Sequence, residues 1–175
     1  MINIIAFEQA WDVAKAPTVY HGGSPWGSEP ELPIFFTDDK IEAEGYAWSR
    51  GEPPTLQTAD LTPFKKPATV DDVIEASREL VDSYKDDWGD FEVEIWPEIE
   101  EHSPYDGTNP YDLLYIPRIR EALKAKGFDG VKGWDVVSNY EIPVFIPLDT
   151  SQFTLREPSE VTSSPYERKY EETDS

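Results

Sequence analysis

Cysteine is absent from the 175 residues, and methionine appears once. A chain without cysteine has no disulfide framework and no thiolate metal site. Histidine is nearly missing too. His21 and His102 are the only imidazoles, and no short spacing ties either to a carboxylate cluster, so no metal centre is expected. Neither Asp106-Gly107 nor Asp129-Gly130 opens an EF-hand loop, and there is no P-loop, no G-x-S-x-G elbow and no dinucleotide glycine fingerprint. No apolar run approaches the roughly 20 residues of a membrane span. The opening MINIIAFEQAWD has no basic segment followed by a long apolar one, so no secretory signal is read and a cytoplasmic protein is expected.

Basic residues are also scarce. Fifteen Lys and Arg face 36 Asp and Glu, a formal net charge of −21. Such a chain repels nucleic acid and anionic membranes and attracts basic proteins. The plain reading of this charge is a solvated surface. The sharper one is a field that steers a cationic partner, at the extreme by mimicking DNA. What the chain has in plenty is aromatic: six Trp, nine Tyr and eight Phe. Acidic disordered chains lack such residues, so a packed core is expected.

The pattern is that of one mixed α+β domain over residues 1–157, interrupted by an acidic insertion at about 85–110 and followed by an acidic disordered tail, 158–175. Apolar runs at 2–7, 19–21, 34–36, 55–64, 140–148 and 151–155 read as strands. A helix begins after Thr37, with Asp38 and Asp39 in its first turn and Ile41, Glu44, Tyr46 and Trp48 along it. A second starts at Thr69, where Thr-Val-Asp-Asp resembles a capping box, and keeps helical spacing to Tyr84. A third runs from Pro117 to Lys126, with Gly127 as its stop.

Three segments carry chemistry together. Val19-Tyr20-His21-Gly22 puts a histidine at a strand end before a double glycine. Ile34-Phe35-Phe36-Thr37-Asp38 leads into a helix with Tyr46. Asn139 to Phe145 opens a late apolar strand with a carboxylate, Glu141. Phe35 and Tyr46 offer two faces for a flat heteroaromatic ring, His21 a partner for a ribose hydroxyl, and Gly22 a close approach of the backbone. Phe35 and Phe36 alternate faces, so one of them belongs to the core.

In this order the segments resemble the ADP-ribosyltransferases of the His-Tyr-Glu type, the branch with diphtheria-like toxins and poly-ADP-ribose polymerases. Gly-Phe-Asp-Gly-Val at 127–131 and Asp149-Thr150-Ser151-Gln152-Phe153 are similar to further family segments. The resemblance covers about residues 17–66 and 113–155. It implies split mixed and antiparallel sheets with peripheral helices, and NAD as the substrate. His21 and Gly22 would bind it, Phe35 and Tyr46 would sandwich its nicotinamide, and Glu141 would be catalytic by stabilising an oxocarbenium-like ribose. The arginine-modifying branch has a second glutamate where this chain has Asn139, so arginine is not supported as the acceptor.

The implied activity is mono-ADP-ribosylation of a macromolecule, with a basic protein favoured over nucleic acid by the charge, and a phage-encoded effector in a host cytoplasm as its setting. NAD is anionic, and Arg50, Lys65, Lys66 and Arg118 are the candidates to offset the field around it. The rival expectation is a non-enzymatic acidic mimic that blocks a DNA-binding protein. The mimic would be indifferent to Glu141.

Overall fold

In the computed structural model, residues 17–27, 29–84, 96–101, 109–137 and 140–167 are described. The expected strand at 2–7, His102, Asn139, the end of the tail and most of the acidic insertion lie outside them.

Two open sheets form the frame. The first has the order β1 (Thr18–Gly23), β2 (Thr55–Leu61) and β6 (Phe153–Leu155), all antiparallel, with the two-residue β7 (Ser159–Glu160) completing the β2 edge. The second is mixed. Its β3 (Pro67–Ala68) runs parallel to β4 (Gly130–Val137), which pairs antiparallel with β5 (Tyr140–Pro147). Phe36 and Thr37 stitch the two sheets together. Thr37 exchanges main-chain hydrogen bonds with Tyr20 (2.7 and 2.9 Å), and Phe36 does so with Phe145 (2.9 and 2.8 Å).

The helices follow their local signals closely. Helix α1 (Lys40–Arg50) is capped by Asp39, whose carboxylate accepts from the Glu42 N–H at 3.1 Å. Thr37, the expected cap, lies two residues earlier because both of its main-chain groups are taken by Tyr20. Helix α2 (Val70–Ser83) has the expected box. Thr69 accepts from the Asp72 N–H, and Asp72 accepts from that of Thr69. Between them the two bonds satisfy donors that a helix start leaves open. A short α3 (Trp96–Glu101) falls within the insertion. A 3-10 helix (Pro110–Tyr115) leads into α4 (Pro117–Ala125), which ends at Gly127 with a φ of 86°, a value that glycine adopts without strain.

The largest core cluster lies where α2, the 3-10 helix and α4 pack on the second sheet. Leu113, Leu114, Ile119, Leu123, Val131 and Ile146 are fully buried there. Each such side chain contributes on the order of 1.5–3 kcal/mol by leaving water. A second cluster, rich in aromatics, joins Val19, Phe36 and Phe153 of the first sheet's side to Phe145 of β5. A small third one seats α1 on the first sheet through Ala43, Ala47 and Leu56.

The domain does not end at 157 as the composition implied. β7 adds to β2, and Val161, 6 % exposed, packs against Ala43, Ala47 and Leu56. The Val161 N–H donates to the Pro54 carbonyl at 2.9 Å. A polar stretch is ordered here because β6 covers only the far half of the β2 edge, leaving Thr55 and Leu56 to pair with residues 159–160.

Candidate functional site

Beside the stitch, between the two sheets, lies a cavity of about 350 Å³. One wall comes from β1, the stitch and α1, with Tyr20, His21, Gly22, Phe35, Phe36, Thr37, Glu42, Ala43 and Tyr46. The other comes from the 3-10 helix and the β4–β5 hairpin, with Asn109, Asp112, Tyr115, Asp135, Ile142 and Val144.

His21 sits within β1, which runs on through Gly22 and Gly23 rather than ending at the histidine; it is stacked on Trp26 with ring centroids 5.3 Å apart, and its Nδ1 lies 3.0 Å from the Phe35 carbonyl. A carbonyl only accepts, so Nδ1 carries the proton and Nε2 bears the free lone pair. Burial pushes the imidazole pKa below its ordinary value, partly offset by the Phe35 hydrogen bond, so the ring is neutral near pH 7. His21 is therefore an acceptor at Nε2, suited to a hydroxyl. Gly22 is needed for packing: a Cβ there would meet the Ala43 carbonyl and stand 2.9 Å from the Ala47 nitrogen. Glycine lets α1 lie directly on the strand.

The alternation of Phe35 and Phe36 is resolved by the core. Phe36 is fully buried in the aromatic cluster, while Phe35 is half-buried and faces the cavity. It packs against the Tyr115 ring, at 5.9 Å between centroids and a tilt of 33°. Tyr46, 48 % exposed, stands on α1 and also lines the cavity. Tyr115 thus joins the two expected rings, and Tyr20 and Phe36 also reach the lining.

Glu141 is placed differently. It is exposed at the start of β5, opposite Val136, and is not among the lining residues. Strand alternation puts it on the side of Pro143 and Phe145, whereas Ile142 and Val144 line the cavity. Among the described residues, the carboxylates that do line it are Glu42, Asp112 and Asp135. Asp135 faces Ile142 across the hairpin and accepts from Asn109 Nδ2 at 2.8 Å, while Asn109 Oδ1 accepts from the Tyr111 N–H at 3.0 Å. Glu42 accepts from the Tyr166 hydroxyl at 3.0 Å. Nothing in their local sequence marks Asp112, Tyr115 or Asp135; only the hairpin and the 3-10 helix bring them here.

None of Arg50, Lys65, Lys66 and Arg118 lines the cavity. Lys66 donates to the Lys126 carbonyl at 2.8 Å and lies over the Phe128 ring, Arg118 lies over the Tyr84 ring, and Arg50 closes the last turn of α1. Their expected part in offsetting the field around an anionic ligand is corrected accordingly. The cause is position in the fold: Lys66 and Arg118 are held over Phe128 and Tyr84, which pack against the largest core cluster.

The two late segments singled out in the sequence have structural work. Asp129 accepts from the Lys65 and Lys66 N–H groups at 2.7 and 3.0 Å. Gln152 accepts from the Leu148 and Asp149 N–H groups and donates to the Asp129 carbonyl, tying the segments to each other.

Among the described residues, no group of three or more His, Cys, Asp or Glu is placed to hold a metal, and no helix is long and apolar enough to cross a membrane. Compared with known proteins, the chain matches no protein-family model, no curated protein and no solved structure.

Proposed function

We propose that this protein is a mono-ADP-ribosyltransferase that takes NAD as donor and modifies a macromolecule, a basic protein in preference to nucleic acid. The observation that carries the reading is convergence. His21, Gly22, Phe35 and Tyr46, spread over 26 positions and picked for one ligand, line one cavity between two sheets. The split pair of sheets is compatible with the architecture that the resemblance implies.

The chemistry asks little of the chain. The bond between the nicotinamide nitrogen and ribose C1′ breaks, its electron pair leaves with nicotinamide, and positive charge develops on C1′ and the ring oxygen. An acceptor atom attacks C1′ and loses its proton. Phe35, Tyr46 and Tyr115 orient the ring, and His21 Nε2 accepts from a ribose hydroxyl. A carboxylate in a water-poor space stabilises the developing cation. The resemblance assigns that part to Glu141, which in this fold is exposed on the face of β5 turned away from the lining Ile142 and Val144, so that it can act only from outside the cavity. Asp135, on the strand opposite, lines the cavity and adds its own field. The net charge of −21 favours a basic surface as the acceptor.

The test is nicotinamide release from NAD by the full chain, wild type beside Glu141→Gln, with and without a cell lysate. Release that rises with lysate and drops about 100-fold or more in the variant is expected, the scale of a lost charge-stabilising group. No release by the folded protein under either condition overturns the reading in favour of the acidic mimic.

A further inference from the structure

We infer that Asp135, on the inner face of the β4–β5 hairpin, is the carboxylate that assists breakage of the bond to nicotinamide, with Asn109 as its positioning residue. The inference rests on the NAD reading above and changes which side chain performs its central step.

Direction is the first support. The pairing of β4 with β5 sets Asp135 opposite Ile142, and both line the cavity. Glu141 pairs with Val136 and projects, exposed, from the other face of the same hairpin. Asp135 is half-buried. A charge pair attracts about fourfold more strongly at an effective dielectric of about 20, proper to a protein site, than in bulk water. The inner carboxylate is therefore the better stabiliser of a cation that develops inside.

Preorganisation is the second. The start of the 3-10 helix docks on successive residues of β4. Gly133 admits Tyr111, since a Cβ there would run into the Tyr111 hydroxyl. The Trp134 carbonyl accepts from that hydroxyl at 3.2 Å. Asp135 Oδ1 then accepts from Asn109 Nδ2 at 2.8 Å. Asn109 is itself fixed, because its Oδ1 accepts from the Tyr111 N–H at 3.0 Å and caps the helix. A glycine inside a strand marks a close approach, and this one seats the group that aims the carboxylate. Glu42 reaches the cavity on a longer side chain and Asp112 from the 3-10 helix, whereas Asp135 stands in a two-stranded ladder. A charge that need not reorient during the reaction stabilises the transition state most.

In the step, the electron pair of the bond from C1′ to nitrogen leaves with nicotinamide. Asp135 forms no bond and faces the positive charge gathering on C1′ and the ring oxygen. Without an acceptor, water attacks C1′ and its proton passes to solvent. With one, the acceptor atom attacks, and Glu141, on the outer face where a macromolecule can meet it, takes the proton.

The experiment is steady-state nicotinamide release from NAD by the full chain, with and without a cell lysate, for wild type, Asp135→Asn, Asn109→Ser and Glu141→Gln. Asp135→Asn keeps the shape and still accepts from Asn109, so a melting temperature within about 3 °C of wild type is expected. Its lysate-free release is expected to fall about 100-fold, nearly all of it in kcat. Asn109→Ser keeps a cap for the Tyr111 N–H and loses the donor to Asp135. A fall of about tenfold in kcat with KM within about threefold is expected, where a merely structural residue would move the melt alone. Without lysate, the Glu141→Gln loss is expected to be smaller than the Asp135→Asn loss by about tenfold or more, and with lysate the two losses are comparable.

A lysate-free Asp135→Asn rate within about threefold of wild type, or a Glu141→Gln loss that equals or exceeds that of Asp135→Asn, overturns the inference and leaves the NAD reading standing. So does wild-type release that occurs only with lysate, because cleavage would then need the outer group. No release from the folded wild type in either condition overturns both.

Discussion

The wall of the cavity that carries His21, Gly22 and Thr37 is held mainly by main-chain contacts, whereas the wall with Asn109, Asp112 and Asp135 is held by side chains over a thick aliphatic cluster. On the first, Tyr20 and Thr37 bond main chain to main chain, and Gly22 sets α1 against β1 with no side chain between them. On the second, the Tyr111 hydroxyl donates to the Trp134 carbonyl at 3.2 Å and Asn109 orients Asp135, above Leu113, Leu123 and Val131. The difference teaches where each wall is vulnerable. A main-chain wall has no slack, because helix and strand must shift as bodies. A side-chain wall repacks, and loses stability in proportion to the apolar volume removed.

Gly22→Ala is the sharpest way to break the contrast. The new methyl meets the Ala43 main chain, so a loss of about 3 kcal/mol or more is expected, together with NAD binding. Denaturant unfolding and calorimetry read the two effects. A loss below about 1 kcal/mol would mean that α1 slides freely and that the first wall is not rigid. Leu123→Ala, on the other side, should cost about 2–5 kcal/mol and leave the affinity of the folded protein within about twofold, since Leu123 is fully buried away from the cavity. An equal loss of affinity there would erase the distinction between the walls.

A smaller effect is expected from pH. The His21 pKa is lowered by burial, so between that value and the ordinary 6.5 the unfolded chain binds the extra proton and the folded one does not. Stability from this group is therefore complete above about pH 6.5 and is lost as pH falls through the folded value. Thermal melts from about pH 7.5 down to pH 5 should show a steeper decline for wild type than for His21→Asn. Parallel curves would mean that the imidazole is not held neutral.

The smallest expected effect concerns Tyr166, whose hydroxyl reaches Glu42 while its ring lies over Gly45. A Cβ at Gly45 would stand 2.6 Å from that hydroxyl, which accounts for a glycine inside α1 despite its cost of about 1 kcal/mol relative to alanine. Tyr166→Phe keeps the ring and removes the bond, so a loss of about 0.5–1.5 kcal/mol is expected in thermal melts, with altered NAD binding. Unchanged binding would show that Glu42 is oriented without residues beyond 157.

Legibility followed the same division. The first wall was readable because its parts are local: a strand ending in Gly-Gly, a pair of aromatics before a helix, a tyrosine on that helix. The capping box at Thr69 and the stop at Gly127 were readable for the same reason, since a helix end is decided within about four residues. The second wall left no such mark. Asp112, Tyr115 and Asp135 are ordinary members of an acidic, aromatic-rich chain until the 3-10 helix and the β4–β5 register bring them opposite His21. Glu141 was readable as a carboxylate opening a strand. Its face was not, because strand alternation has to be anchored by pairing before it can be oriented.

The sequence by itself determined the α+β character, the three main helices with all their ends but the start of α1, and four of the residues that meet in the cavity. Those depend on periodicity, capping and turn chemistry, which act over a few positions. Tertiary structure alone decided that residues 159–161 complete a sheet edge, that the four suggested cations lie outside the lining of the cavity, and that Glu42, Asp112 and Asp135 belong to it. Those outcomes depend on which distant surfaces come to share one space, and the long-range packing that settles this leaves no local pattern in the chain.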